Sequence, residues 1–360
     1  MRVPDIMTPI WNYTFDKTTF RSIARDAAAN AVLRERGMCY FYDIGECYYA
    51  NPETIRFYGS LQKAFADAVD STLNVAPELG VFRDYAAMAG YSYREASHLV
   101  QCVTSAKHHA LDRSGVPYQA YIAQDILKKD FKLPKVIFFP LVPDFTPEEI
   151  ADLRARAKAA NSTIIWGFYR PFRAGERSDV GGIIYNYPER KVLAQSIATG
   201  KSFTAGYAGK IIGESYSGFT YSGSFQMLYE RPAVITVAPG DEVLARYSDG
   251  SGASMILRRC NGLTEIICGA PGAFSPALLR NIARSAGAQV LSENDNISVA
   301  AADGIMSVFC DRGGDIVVRI PAGFKVVSSL TDKKYSVNAD KLNFRAFDGE
   351  NVWFKLAAAK

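Results

Sequence analysis

The sequence predicts an α/β fold, an open parallel sheet covered on both faces and followed by a small all-β region. Three observations carry this. Two nearly all-apolar runs, 135–141 (KVIFFPL) and 162–168 (STIIWGF), bracket a helical segment with short connections, which is the strand–helix–strand unit of a parallel sheet. A further apolar run, TEIICGA, leads into a second capped helix. From about residue 297 onward, strand-like stretches alternate with Gly-containing turns, which is how small antiparallel sheets read.

Taken in order, residues 18–37 (TTFRSIARDAAANAVLRERG) carry apolar side chains at helical spacing and close on Gly37. MCYFYD (38–43) is a strand whose last residue is acidic, the loop IGECYYANPE follows, and a second helix is expected from Pro52 to Val69. One helix–strand–helix sequence cannot close on itself, so it must complete or cap something else. The next region opens with ELGVFRD as a strand, continues with a helix over 93–114 and then VPYQAYI as a short β-rich run. In the strand–helix–strand unit, Thr146 is the helix N-cap, Pro147 the first helical residue, and Glu148 and Glu149 occupy the first turn, where the helix dipole favours negative charge. Ile150, Leu153 and Ala157 share its apolar face.

Between Gly175 and Tyr229 the pattern weakens into Gly, Ser and Tyr and reads as excursion and loop. PAVITVAP, EVLARYSD and ASMILRR are strands separated by Pro-Gly and Asp-Gly turns. The helix after TEIICGA is capped by Ser275, has Pro276 in its first turn, and ends at Gly287. SVAAADGIMSVFCD, DIVVRIPAG, KVVSSLTD and NVWFKL form the last, all-strand region, read as half of a small sandwich or an appended sheet. In such folds ligands bind beyond the carboxyl ends of the parallel strands, so the loops after Phe139 and Phe168 are where chemistry is to be sought.

Composition narrows the function. The formal net charge is +4 and Lys and Arg are scattered, which argues against a nucleic-acid partner. The N-terminus has no apolar signal core and no run approaches the roughly 18–20 apolar residues of a membrane span, so a cytoplasmic chain that neither enters nor crosses membranes is expected. The six cysteines lack C-x-x-C spacing and histidine partners, and most lie in apolar runs. Reduced thiols, no metal site and no cofactor are expected. His98, His108 and His109 fall in one helical stretch and read as packing or surface residues. YAGKIIGES is not a phosphate loop, and GAPGAF lacks the strand-to-helix context of one.

Several stretches together resemble the C-terminal half of clan A glycoside hydrolases related to the β-galactosidases of family forty-two. These are GVPYQAYIAQDIL, the run from LPKVIFFP to IIWGFYRPF, the run from EVLARYSDG to AQVLSENDN, and MSVFCDRGGDIVVRIP. The resemblance implies the end of a (β/α) barrel over 1–76, a flavodoxin-like, class I amidotransferase-like trimerisation domain over 77–294, and a small β domain over 295–360. It also implies a homo-oligomer. In that setting Asp43 and Glu46 lie at the carboxyl end of a barrel strand, the face that carries active sites. Tyr48 and Tyr49, beside Asn51 and Pro52, are candidates for a sugar-facing surface, since pyranose rings pack on aromatic planes.

A complete barrel takes about 250 residues. Retaining hydrolysis needs two carboxyl groups about 5 Å apart, which the family takes from its fourth and seventh barrel strands. Neither strand has a counterpart here, so no catalytic residue is carried over. The expectation is a non-catalytic portion of such an enzyme that supplies oligomer contacts and part of a carbohydrate site. The alternative is a hydrolase using Asp43 and Glu46 in a barrel completed by another chain. A third reading is a flavodoxin-like module for a small ligand, with a pocket beyond Phe139 and Phe168. Glutaminase chemistry is excluded by residue type, because Tyr169 and Arg170 stand where the nucleophilic Cys would be and no His follows His109.

Overall fold

The computed structural model describes residues 29, 33, 34, 52–69, 73–84, 110–168, 177–186, 203–207, 210–211, 214–215, 219–221, 233–247, 250–269 and 274–359. The chain divides into two compact units, one of residues 1–77, 112–120 and 289–360, the other of 78–111 and 121–288. Helix α1 (Pro52–Val69) opens the described part and has the bounds its sequence predicts.

The second unit holds a mixed sheet. Its parallel core comprises β1 (Leu79–Arg83), with β2 (Tyr118–Ile122) beyond it, then β3 (Val136–Leu141) and β4 (Thr163–Phe168). β3 pairs in parallel with β1 (Leu79 opposite Val136) and with β4 (Val136 opposite Thr163). Between β3 and β4 runs α2 (Pro147–Ala159), whose start is a full capping box. The Thr146 hydroxyl accepts the Glu149 N–H and the Glu149 carboxylate accepts the Thr146 N–H.

Strand alternation sorts the core into two faces. Phe139 stacks on Trp166 (5.1 Å between centroids, 13° between planes) on the side where Ile150, Leu153 and Ala157 of α2 are buried. Phe138 points the other way and meets Phe274 edge-on at 4.9 Å.

The stretch between Gly175 and Tyr229, expected to be loop, contains strands wherever it is described. These are β5 (Arg177–Val180), β6 (Ile183–Asn186), β7 (Phe203–Tyr207), β8 (Lys210–Ile211), β9 (Glu214–Ser215) and β10 (Phe219–Tyr221). Each is at most five residues long, too short for alternation to mark it out from the Gly-, Ser- and Tyr-containing sequence around it. The sheet continues through β11 (Val234–Ile235), β12 (Glu242–Tyr247), β13 (Ala253–Cys260) and β14 (Leu263–Cys268).

The strand order is β10-β7-β12-β13-β14-β4-β3-β1-β2, with β5, β6 and β11 branching off β13. β14 is parallel to β4, whereas β13, β12, β7 and β10 pair antiparallel. The expected all-parallel sheet is therefore half of the observed one. The long β4-to-β14 connection lays its own strands against the β14 edge and extends the sheet by hairpins. Helix α3 (Pro276–Ser285) then follows, with the Ser275 hydroxyl accepting the Leu278 N–H and Gly287 in the left-handed region that lets the chain leave.

Two arginines grip the turn of the β5–β6 hairpin. Arg154 of α2 donates to the Gly181 carbonyl and to Glu265 (2.8 Å), while Arg258 of β13 donates to the Gly182 carbonyl and holds Asp241 as a two-pronged fork (2.9 and 2.8 Å). Burial alone pushes the Asp241 carboxyl up, but the Arg258 bond and the Ala238 N–H outweigh it and hold the group below the ordinary carboxylate range. A depressed folded value means stabilisation that is present above the unfolded value and lost as pH falls through the folded one. Asp241→Asn is accordingly expected to cost about 2 kcal/mol at pH 7, with the gap to wild type closing from about pH 4 downward. Urea midpoints measured across pH check this.

The first unit is built around two antiparallel sheets. One is β15 (Ile297–Ala302), β16 (Ile305–Cys310), β21 (Glu350–Ala358) and β18 (Phe324–Ser329) in spatial order; the other is β17 (Gly314–Arg319), β20 (Lys341–Ala346) and β19 (Tyr335–Asn338). Val299, Met306, Val308, Val352 and Phe354 of the first share a core with Ile316, Val318, Leu342 and Phe344 of the second. The four-stranded sheet is buried on its other face too. There Ala300, Ala302, Ile305 and Trp353 pack against Ala29, Leu33 and, from α1, Phe57, Leu61 and Phe65.

Arg34, 2% exposed, reaches the same sheet. It pairs with Asp112 and donates to the Tyr118 hydroxyl (3.2 Å), the Ser298 hydroxyl (3.0 Å) and the Val299 carbonyl (2.8 Å). Gly115 closes this region. Its φ is +69°, and a side chain there would lie 2.8 Å from the backbone nitrogen of Ser292.

Cys268 and Cys310 are buried free thiols and Cys260 is exposed at the end of β13. Burial, with smaller help from Glu350, pushes the Cys310 thiol up to about 12, so it carries almost no thiolate at neutral pH. With iodoacetamide at pH 8, peptide mapping is expected to show Cys260 alkylated and Cys310 intact until denaturant is added. Among the described residues no group of three or more metal-ligating side chains converges, and no helix is long and apolar enough to cross a membrane.

Candidate functional site

At the carboxyl ends of the parallel strands, the described residues converge on Asp84. β1 places it there: LGVFR is an apolar strand buried at four of its five positions, and the chain turns out of the sheet directly afterwards with the aspartate at 1% exposure. Its Oδ2 accepts the backbone N–H of Asp144 (2.9 Å), in the loop between β3 and α2. Its Oδ1 accepts from the Gln124 amide (3.4 Å), in the 3₁₀ turn Ala123–Leu127 that follows β2. One carboxylate thus ties together the connections that leave three neighbouring strands.

Two residues before it, Phe82 anchors an aromatic cluster. Phe82 stacks on Tyr121 (5.2 Å, 18°) and packs against Phe131 and Phe139, and Phe145 meets Phe139 edge-on at 6.0 Å. One strand further, Gly167 of β4 lets a neighbouring chain segment close in. The Tyr185 hydroxyl of β6 donates to its carbonyl (3.1 Å), and any side chain at 167 would lie 2.7 Å from the Pro140 carbonyl carbon. A buried carboxylate beside an aromatic cluster can accept hydrogen bonds from a polar ligand and hold loops in register.

The residues singled out from sequence, Asp43, Glu46, Tyr48 and Tyr49, lie outside the described residues, as do the strand MCYFYD, most of the helix expected over 93–114 and the His98, His108 and His109 side chains. The loop after Phe139 is described and contributes Asp144, whereas the residues directly after Phe168 are not described. Asp84 itself went unread. The signal was available, because it is the acid that ends an apolar strand, the same pattern that singled out Asp43.

No family model matches the sequence, and no curated protein sequence matches it. Solved structures do match its fold. A β-galactosidase from Bacillus circulans sp. alkalophilus superposes with a TM-score of 0.58 at 13% identity, over 95% of this chain and 52% of that one. A family forty-two β-galactosidase from G. stearothermophilus gives 0.52 at 13% identity, over 95% and 51%. Alpha-L-fucosidase isoenzyme 2 from Paenibacillus thiaminolyticus gives 0.51 at 12% identity, over 97% and 59%. The chain therefore has a fold like that of family forty-two β-galactosidases and spans about half the length of those structures. Because a fucosidase shares the fold, the fold alone does not name a sugar.

Proposed function

We propose that this chain is a non-catalytic portion of a β-galactosidase-like glycoside hydrolase, contributing oligomer contacts and part of a carbohydrate site. The observation that carries the reading is the match of nearly the whole chain, 95%, to about half of the β-galactosidase structures. The sequence adds that no residue corresponds to the two carboxyl groups retaining hydrolysis requires. Light scattering after size exclusion is expected to give a homo-oligomer, and the purified chain is expected to leave an aryl β-galactoside unhydrolysed. A strict monomer would sink the assembly role, and turnover abolished by Asp43→Asn or Glu46→Gln would transfer the reading to a hydrolase acting through those acids.

One observation favours a second reading, a flavodoxin-like module for a small polar ligand. Taken in chain order, β2-β1-β3-β4-β14 runs 2-1-3-4-5, the order of flavodoxin-like sheets, whose ligands bind where the order reverses between the first and third strands. Asp84 and Asp144 stand at that reversal. The trimerisation and amidotransferase-like descriptions of this unit rest on the resemblance of its sequence stretches to the family. Titrating galactose and glycerol into the isotope-labelled chain is expected to shift the amide signals of Asp84, Gln124 and Asp144. Shifts confined to other residues would remove the reversal point as a site.

A further inference from the structure

The outward face of the four-stranded sheet holds polar groups that its apolar cover leaves unanswered. Across β15, β16 and β21 the register sets Ala300, Ser307 and Trp353 side by side, with Asn351 two positions before Trp353 on the same face. Ser307 and Trp353 are each 2% exposed and Asn351 is fully enclosed. Among the described residues, Phe65 packs edge-on over Trp353 at 5.1 Å, with Phe57, Leu61 and Leu33 buried in the same cluster and Tyr58 at its margin.

Within this layer the Ser307 hydroxyl donates to the Asn351 carbonyl oxygen (3.2 Å). Among the described residues, the Trp353 indole N–H and the Asn351 amide nitrogen meet no acceptor. Exchanging the ends of the Asn351 amide leaves its carbonyl oxygen unanswered instead, so one polar atom is stranded in either orientation. A buried donor without an acceptor costs about 1–3 kcal/mol, and native interiors answer nearly all such groups with protein or with ordered water.

We propose that the seam between α1 and the four-stranded sheet is an internal hydration site. At least one ordered water accepts from Trp353 Nε1 and Asn351 Nδ2 and donates to the Ser307 hydroxyl oxygen, which keeps acceptor capacity while it donates to Asn351. Three polar partners fall within the two to four that hold an internal water. The small side chains of Ala300 and Ser307 beside the indole are what a water between two layers requires, and a bulkier residue in that row would displace it. The water thereby joins three side chains of the sheet, from two neighbouring strands, beneath the helical cover.

The test uses the full chain, deuterated and labelled with nitrogen-15. The Trp353 indole proton is identified by the signal that vanishes in Trp353→Phe, and its transfer from water is measured. A cross-peak with the sign of a long-lived bound water is expected, falling several-fold in Ser307→Ala, a deletion of one buried oxygen that the sheet tolerates. A folded protein whose Trp353 proton shows no such cross-peak overturns the proposal. So does a cross-peak unchanged in Ser307→Ala, which places the water elsewhere.

Discussion

Arg34→Met is expected to destabilise the unit that contains it by about 3–5 kcal/mol, because it removes the cation and leaves the Asp112 carboxylate in a site that excludes water. The methionine fills much of the same volume, so the loss reports the charge and its hydrogen bonds more than packing. Asp112 keeps the Tyr118 hydroxyl as a donor, which softens the penalty without replacing a full charge. Replacing both partners, Arg34→Met with Asp112→Leu, is expected to recover a large share, since well-packed apolar groups commonly equal or better a buried pair. Urea unfolding would show the transition of this unit moving to lower denaturant in the single variant, with the transition of the other unit held in place. Equal midpoints for wild type and Arg34→Met would show that the pair contributes nothing net.

The second large effect is expected at Trp166. Its side chain is fully enclosed, stacks on Phe139 and donates its indole N–H to Glu265 (2.7 Å), which also receives Arg154. Trp166→Ala opens a cavity in the centre of the parallel core and is expected to cost about 3–5 kcal/mol. Trp166→Phe keeps a ring against Phe139 and removes the donor, so a smaller loss of about 1–3 kcal/mol is expected. The ordering of the two variants in urea midpoint is the measurement. A Phe variant as unstable as the Ala variant would mean that the bond to Glu265, and not the filled volume, holds this region.

Much of the second unit was legible because its signals are local. The capping box at Thr146 and the Ser275-Pro276 start occupy four-residue windows, and β3 and β4 read as buried strands because almost every residue in them is apolar. β7 and β10 carried no such mark, since FTAGY and FTY, although made largely of strand formers, are too short to show a period. β19 and β20 were passed over for a related reason: YSVN is short, and KLNFRA alternates two charged residues with its buried Leu342 and Phe344. The role of Arg34 had no sequence signature at all. It sits in a run that reads as an exposed helix face, and its burial is decided by partners 78 and 264 residues away. At the candidate site the sequence singled out the loop after Phe139, which contributes Asp144, but not the acid at the end of β1.

The layer that α1 forms over the last sheet sets a condition on biosynthesis. Its cover lies far upstream of Trp353, the side chain it must enclose, so Leu33, Phe57 and Phe65 are synthesised well before their partner on the sheet. Pairings between opposite ends of a chain form slowly and leave intermediates prone to aggregation. Expression with chaperones that shield nascent chains should raise the soluble yield, and deleting either α1 or β21 should strand the surface that the other was made to meet.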